Sequence, residues 1–291
     1  MSLETGTVYV TEQNIPVIIP KGISIFGFTV SFFGLCLVFA ALAGLFVVTK
    51  EARRRKMDIE WLLSVIAVVL IFSVLGARCY YAVFCWSSFS GHPLQVLYLR
   101  KGGFAYFGAL IAGIAALKLY CRKKEMDFFQ TADILSLGAA VAAIPVWIGC
   151  IFSGEPIGRY SNGALSVRFS AEYLSQEITI GCFEKIGEDK VFVHGDLCAS
   201  CHPVALYGLI GAIVVLLGTF VSKRFVKTEG ALFWNYVLLT SCSLLVTDMF
   251  RAERFLIWGT EISVNRVVAI VFMVAAIVRP FIMRMKEKKK V

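Results

Sequence analysis

Charge is what this sequence has least of. Of its 291 residues only 17% are Asp, Glu, Lys or Arg, while 58% are hydrophobic and the mean hydropathy is +0.76. A water-soluble domain carries about a quarter charged residues, so that class is excluded. Also missing at the N-terminus, MSLETGTVYVTEQNIP, is a basic leader, and no apolar stretch begins before residue 23. A cleavable signal peptide is therefore not expected. There is no internal repeat and no low-complexity segment. Nor is there a convincing pair of acids at the centre of an apolar run, which argues against a transporter.

Apolar runs are abundant instead. They fall at about 23–48, 61–85, 103–121, 130–152, 204–221, 231–249 and 263–283. Runs near 20 residues cross roughly 30 Å of hydrocarbon. The expected fold is an all-α integral membrane protein with seven transmembrane helices in one membrane domain, 1–291. The formal net charge of +9 suggests nucleic acid, but its placement argues otherwise. Basic residues cluster at Lys50 and Arg53–Lys56, at Arg122–Lys124, at Lys223, Arg224 and Lys227, and at Arg284, Lys286 and Lys288–Lys290, together sixteen of the 29 Lys and Arg. These clusters follow the first, third, fifth and seventh runs. The positive-inside rule then puts the N-terminus outside and the C-terminus inside.

Residues 86–102, 153–203 and 250–262 are accordingly expected outside the cytoplasm. The first, with Trp86, His92-Pro93, Tyr98 and Lys101, reads as a short interfacial helix. The stretch 153–203 reads as a small β-rich cap, with alternating segments at Ala164–Phe169 and Lys190–His194. Gly102-Gly103, Gly108 and Gly113 at the start of the third run read as close helix packing.

An ionisable residue inside a span costs about 2.5–3.5 kcal/mol and marks function by default. Arg78 lies in the outer half of the second run. Glu155 and Arg159 follow the fourth, with Gly158 beside them; His202 and Tyr207 begin the fifth. Asp248 and Arg251 end the sixth, and Arg266 opens the seventh. These residues converge at one depth, while Asp133 stands apart near the cytoplasmic start of the fourth run. Single residues here read most simply as snorkelling side chains or structural ion pairs. As a set they describe a polar pocket. Its arginines suit a lipid phosphate, and its carboxylates suit orienting those arginines or moving a proton.

Cys198-Ala199-Ser200-Cys201-His202 follows the CxxCH pattern of c-type haem attachment. A disulfide, with Cys182 as one candidate, and chance overlap are the competing readings.

The order of these features resembles the prolipoprotein diacylglyceryl transferase family over most of the chain. Gly76-Ala77-Arg78 with Tyr81 resembles the family's Gly-Gly-Arg followed by Tyr, and Gly102-Gly103 with Gly108 its Gly-Gly–x–x–x–His–Gly-Gly. Phe128-Phe129-Gln130 with Asp133 is similar to Phe-Phe-Gln-x-x-Asp. Gly154-Glu155 with Gly158-Arg159 resembles the end of the central signature. His202-Pro203 with Leu206-Tyr207 is similar to His-Pro-x-Gln-Leu-Tyr, and Asp248 with Arg251 to the late Glu-Phe-Phe-Arg. The resemblance gives His202 a place independent of haem.

It implies a multi-pass protein of the bacterial cytoplasmic (inner) membrane acting in lipoprotein biosynthesis. Its activity would be transfer of the diacylglyceryl group of phosphatidylglycerol to a lipobox cysteine thiol of a secreted prolipoprotein, with no metal and no cofactor. Glu155 and Asp248 would be catalytic. Arg78, Arg159, Arg251, Arg266 and Gly158 would bind lipid or phosphate, supported by His202 and Tyr207. The chain also departs from the family's pattern. Ser24-Ile25-Phe26-Gly27 stands where the family has His-Trp-Tyr-Gly, and Phe107 stands for His. Val146-Trp147 through Cys150 replaces Gly-Arg-x-x-Asn, Leu244 an Arg, Asp248 a Glu and Arg266 a Gln. A diverged paralogue with another acceptor, a non-catalytic lipid- or lipoprotein-binding protein of the same fold, and a haem or thiol redox protein at Cys198 and Cys201 are the alternatives.

Overall fold

The computed structural model describes residues 2–10, 15–25, 28–86, 91, 94, 96, 105–159, 161, 163, 165–169, 193–194, 197–198, 201–226, 228–252, 257, 260 and 262–288. Among them are seven long helices: α1 (Phe32–Arg54), α2 (Ile59–Phe84), α3 (Tyr106–Lys123), α4 (Phe128–Ser153), α5 (Val204–Phe225), α6 (Ala231–Phe250) and α7 (Val264–Lys288). The all-helical class holds, and six of the seven boundaries fall close to those read from hydropathy. By length and composition five helices can cross a membrane: α1, α2, α4, α5 and α6. Of the others, α3 is only 18 residues long and contains Lys118, Arg122 and Lys123, and α7 contains Arg266 and Arg279.

The first apolar run departs from expectation. Residues Ile15–Ile25 and Phe28–Ser31 form β2 and β3, and the helix starts only at Phe32. Isoleucine and valine are frequent there and favour a pleated backbone, and Pro16 and Pro20 resist a helix. Ser31 then caps α1, its Oγ accepting from the Gly34 N–H at 3.1 Å. With β1 (Ser2–Val10) and β4 (Val167–Phe169) these strands make an antiparallel sheet in the order β3-β2-β1-β4. A two-stranded ladder joins β5 (Val193–His194) to β6 (Leu197–Cys198). Thus β4 and β5 fall within the two alternating stretches of the sequence. The intervening 170–192, and most of the expected interfacial helix at 86–102, lie outside the described residues.

Two helical hairpins are closed by the same device. Lys56 and Glu125 adopt left-handed conformations (φ 54° and 55°), and each is followed by Met-Asp. The next-residue amides, of Met57 and Met126, donate back to Ala52 and Cys121 at 3.0 Å. Asp58 and Asp127 then cap α2 and α4. The hairpins pack through glycine. A Cβ on Gly76 would strike the Gly108 carbonyl, and one on Gly108 would strike that of Gly76, which fixes α2 against α3. Gly44 and Gly138 do the same for α1 and α4. Gly108 and Gly113 therefore serve helix packing, as expected; Gly102 and Gly103 lie outside the described residues.

Asp133 finds its reason here. It is only 3% exposed, and its two carboxylate oxygens accept from the Gly230 and Phe233 amides at 2.8 and 2.7 Å. It caps α6 from across the bundle, meeting donors that every helix N-terminus leaves open. Gly230 sits at φ 80°, with the Phe129 ring packed where a Cβ would stand.

Candidate functional site

The site is assembled by main chain. Helix α4 ends at Gly154 in a left-handed conformation (φ 75°), releasing the chain at Glu155. The residues that follow then run as an extended segment between two others. Gly158 pairs antiparallel with Arg251. The Arg159 amide donates to the Phe250 carbonyl at 2.8 Å, and the Ala252 amide to the Ile157 carbonyl at 3.0 Å. On the other side the His202 amide donates to the Arg159 carbonyl at 2.9 Å. Three chain segments far apart in sequence are thereby tied at one end of the bundle. Gly158 is obligatory at this crossing, because a Cβ there would meet the His202 carbonyl oxygen.

This tie brings six of the expected residues to one end. His202 lies just ahead of α5, its Nδ1 hydrogen-bonded to the Tyr207 hydroxyl at 3.2 Å. Its ring meets Phe250 edge-on, centroids 4.9 Å apart, and Phe250 also stacks edge-on against Tyr207 at 5.1 Å. Burial pushes the His202 imidazole below its ordinary pKa. Glu155 and Arg159 are exposed and Arg251 half-buried.

Asp248 is the buried acid of the set, 4% exposed. Its Oδ1 accepts from the Ser263 hydroxyl at 3.1 Å, and its Oδ2 lies 3.3 Å from Arg266 Nε. Ser263, itself fully buried, also accepts from the Arg266 amide at 3.4 Å as the cap of α7. Arg266 thus enters the cluster from the first turn of α7. Sequence reading missed Ser263 and Phe250. A serine immediately before an apolar run with a polar residue three places on is a helix-start signal that points to Ser263; nothing local points to Phe250.

Arg78 is held by the segment that follows its own helix. It is 3% exposed, its Nε donates to the Val96 carbonyl at 2.8 Å, and its guanidinium stands 5.9 Å over the Tyr81 ring. These contacts anchor the segment after α2. Two apolar replacements are also packed. Trp147 lies over Gly208, where a Cβ would run into its indole, and Phe107 is buried in α3. Cys201 of the CxxCH pattern is buried, its Sγ 3.3 Å from the Val167 carbonyl; Ala199 and Ser200 lie outside the described residues.

The geometry can do two things chemically. It offers guanidinium groups for an oxyanion, and it sets two carboxylates of contrasting environment, one buried and one exposed. Comparison with known proteins bears on what these serve. The family model for prolipoprotein diacylglyceryl transferase matches residues 20–282. The phosphatidylglycerol–prolipoprotein diacylglyceryl transferase of Clostridium novyi (strain NT) is 26% identical over 259 residues, covering 89% of this chain and 93% of that one. That of Shouchella clausii (strain KSM-K16) is 28% identical over 250 residues, covering 84% and 83%. That of Parasynechococcus marenigrum (strain WH8102) is 35% identical over 131 residues, covering 45% and 47%.

Proposed function

Because the chain belongs to the prolipoprotein diacylglyceryl transferase family, we propose that it moves a diacylglyceryl group from phosphatidylglycerol to the lipobox cysteine of a secreted prolipoprotein. The observation that carries this is the main-chain tie of residues 157–159 to 250–252 and 202, which gathers acids and arginines at one end. In the reaction the cysteine sulfur attacks the glycerol carbon that bears the phosphate. The S–C bond forms as the C–O bond breaks, and glycerol 1-phosphate leaves with the electron pair. Charge therefore develops on phosphate oxygen, where guanidinium groups are most effective. Arg159, Arg251 and Arg266 take that role, with Asp248 orienting Arg266. Glu155, open at the end of α4, receives the thiol proton. Gly158 lets the backbone close, His202 and Tyr207 support it, and Arg78 holds the neighbouring segment. No metal or cofactor is needed.

The same reading makes all seven helices spans of the bacterial inner membrane, N-terminus out and C-terminus in. The basic residues at the C-terminal ends of α1, α3 and α5 support this, and the shared end of Glu155, His202 and Asp248 is then the outer one. Residues 153–203 would cap it, within a single membrane domain.

A second reading has one observation in its favour. Trp147 and Phe107 put packed aromatic rings where the resembling family carries polar groups, which suits a protein that binds the lipid without turning it over. One experiment decides. Purified protein is incubated with phosphatidylglycerol and a lipobox peptide, and the peptide is weighed by mass spectrometry. A diacylglyceryl adduct on cysteine, reduced about 10²–10⁴-fold in rate by Glu155→Gln, is expected. Retained phosphatidylglycerol with no adduct would replace the transferase with the binding protein.

A further inference from the structure

We propose that the opposite, basic end of the bundle holds a second lipid site, a cleft between α1 and α5 that takes the headgroup of an anionic phospholipid. A cleft of about 720 Å³ is lined by Arg54, Leu217, Phe220, Val221, Lys223 and Arg224. An adjoining one of about 500 Å³ shares Arg54, Phe220 and Lys223 and adds Lys50 and Glu51.

The chemistry follows from the charge inventory. Glu51 is the one acid among these lining residues, and it is 4% exposed. It is already met by Arg54 at 2.7 Å, Arg55 at 3.0 Å and Lys223 at 2.7 Å. The carboxylate therefore fixes α1 to α5 and leaves the cluster strongly positive. Arg54 remains 65% exposed at its side chain, and Lys50 and Arg224 are not among the partners of Glu51. Below the cations the walls turn apolar. Leu217 lies about 10 Å deeper along α5 than Arg224, and Leu217 and Val221 are both exposed. Cations above and apolar side chains below match a phosphate headgroup with its acyl chains, and a free phosphate would leave the apolar wall unused.

This is not the donor-lipid site. His202 precedes α5 and Lys223-Arg224 close it, 22 residues and about 33 Å away. The cleft faces the other leaflet, the cytoplasmic one by its basic residues.

The test places a photoreactive benzoylphenylalanine at Leu217 of the full chain, in nanodiscs of equimolar phosphatidylglycerol and phosphatidylcholine. Adducts at that residue are weighed after irradiation, so lipid held near Glu155 does not register. Phosphatidylglycerol adducts are expected at least about fivefold over phosphatidylcholine. The Lys50→Gln/Arg224→Gln double variant, which leaves all three partners of Glu51 in place and so keeps its melting temperature, should bring the ratio near one. Equal adducts in the unaltered protein, no lipid adduct at all, or a ratio unchanged by the double variant would overturn the site.

Discussion

Arg266 Nε stands 3.3 Å from Asp248 Oδ2, an ion pair that joins the first turn of α7 to the last turn of α6. The acid is buried and the arginine about one-third exposed. Where the resembling family has a longer Glu and a Gln, this chain has a shorter acid and a longer cation, and the two meet. The pair holds the guanidinium at the last turn of α6, three residues ahead of Arg251, which pairs with Gly158.

Asp248→Asn should strand that arginine. Given its partial exposure, a loss of about 1–3 kcal/mol in unfolding free energy is expected, below the range for fully buried pairs. Arg266→Gln in the same background should lose less than the sum of the single changes, by about 0.5–3 kcal/mol. Thermal unfolding of the four proteins in one detergent measures this; strictly additive losses would show that the pair is not coupled.

Gly158→Ala sets a methyl group against the His202 carbonyl, a backbone atom that cannot rotate aside. Separating the three segments there should cost about 1–3 kcal/mol. Lipid transfer should fall further than the melting temperature alone accounts for. Unimpaired transfer by this variant would mean that the backbone tie is irrelevant to the chemistry.

Asp133→Ala leaves the Gly230 and Phe233 amides without their acceptor at the start of α6. A loss of about 1–3 kcal/mol is expected, with Asp133→Asn closer to the unaltered protein because one carbonyl acceptor remains. Transfer measured well below the melting temperature should be nearly unchanged. Hydrogen exchange at those two amides reports the cap directly.

His202 gives the protein an acid limit. Its folded pKa lies below the ordinary value because burial disfavours the imidazolium. Below about pH 6.5 the unfolded chain binds a proton that the folded one refuses. The stabilisation is present above that value and is lost as pH falls below it, through the lower pKa of the folded state. Melting temperature should drop between pH 7 and pH 5, and His202→Gln should flatten that part of the profile. An identical slope in the variant would assign the acid sensitivity elsewhere.

Helix positions were legible in the sequence because membrane insertion reads local hydropathy over about 20 residues. The exception is instructive. Residues 23–25 and 28–31 belong to the same apolar run as the helix that follows, yet they pair as strands with partners that hydropathy does not reveal. The basic clusters, too, are local features of the sequence. Asp133 stands apart from the other charges in the sequence, and its partners, the Gly230 and Phe233 amides, lie about a hundred positions away.

By itself, then, the sequence determined the number and order of helices, the basic ends, and the family to which the chain belongs. It also supplied the residue types for a phosphate-binding site. Only the tertiary structure decided which of those residues meet. Hydrogen bonds between Arg159 and Phe250, and between His202 and Arg159, close loops of roughly 40 to 90 residues, and their cost and reward depend on how the helices pack. That packing put Arg266 on Asp248 and tied Arg78 to Val96, because a side chain reaches only a few ångströms and the backbone must deliver it first.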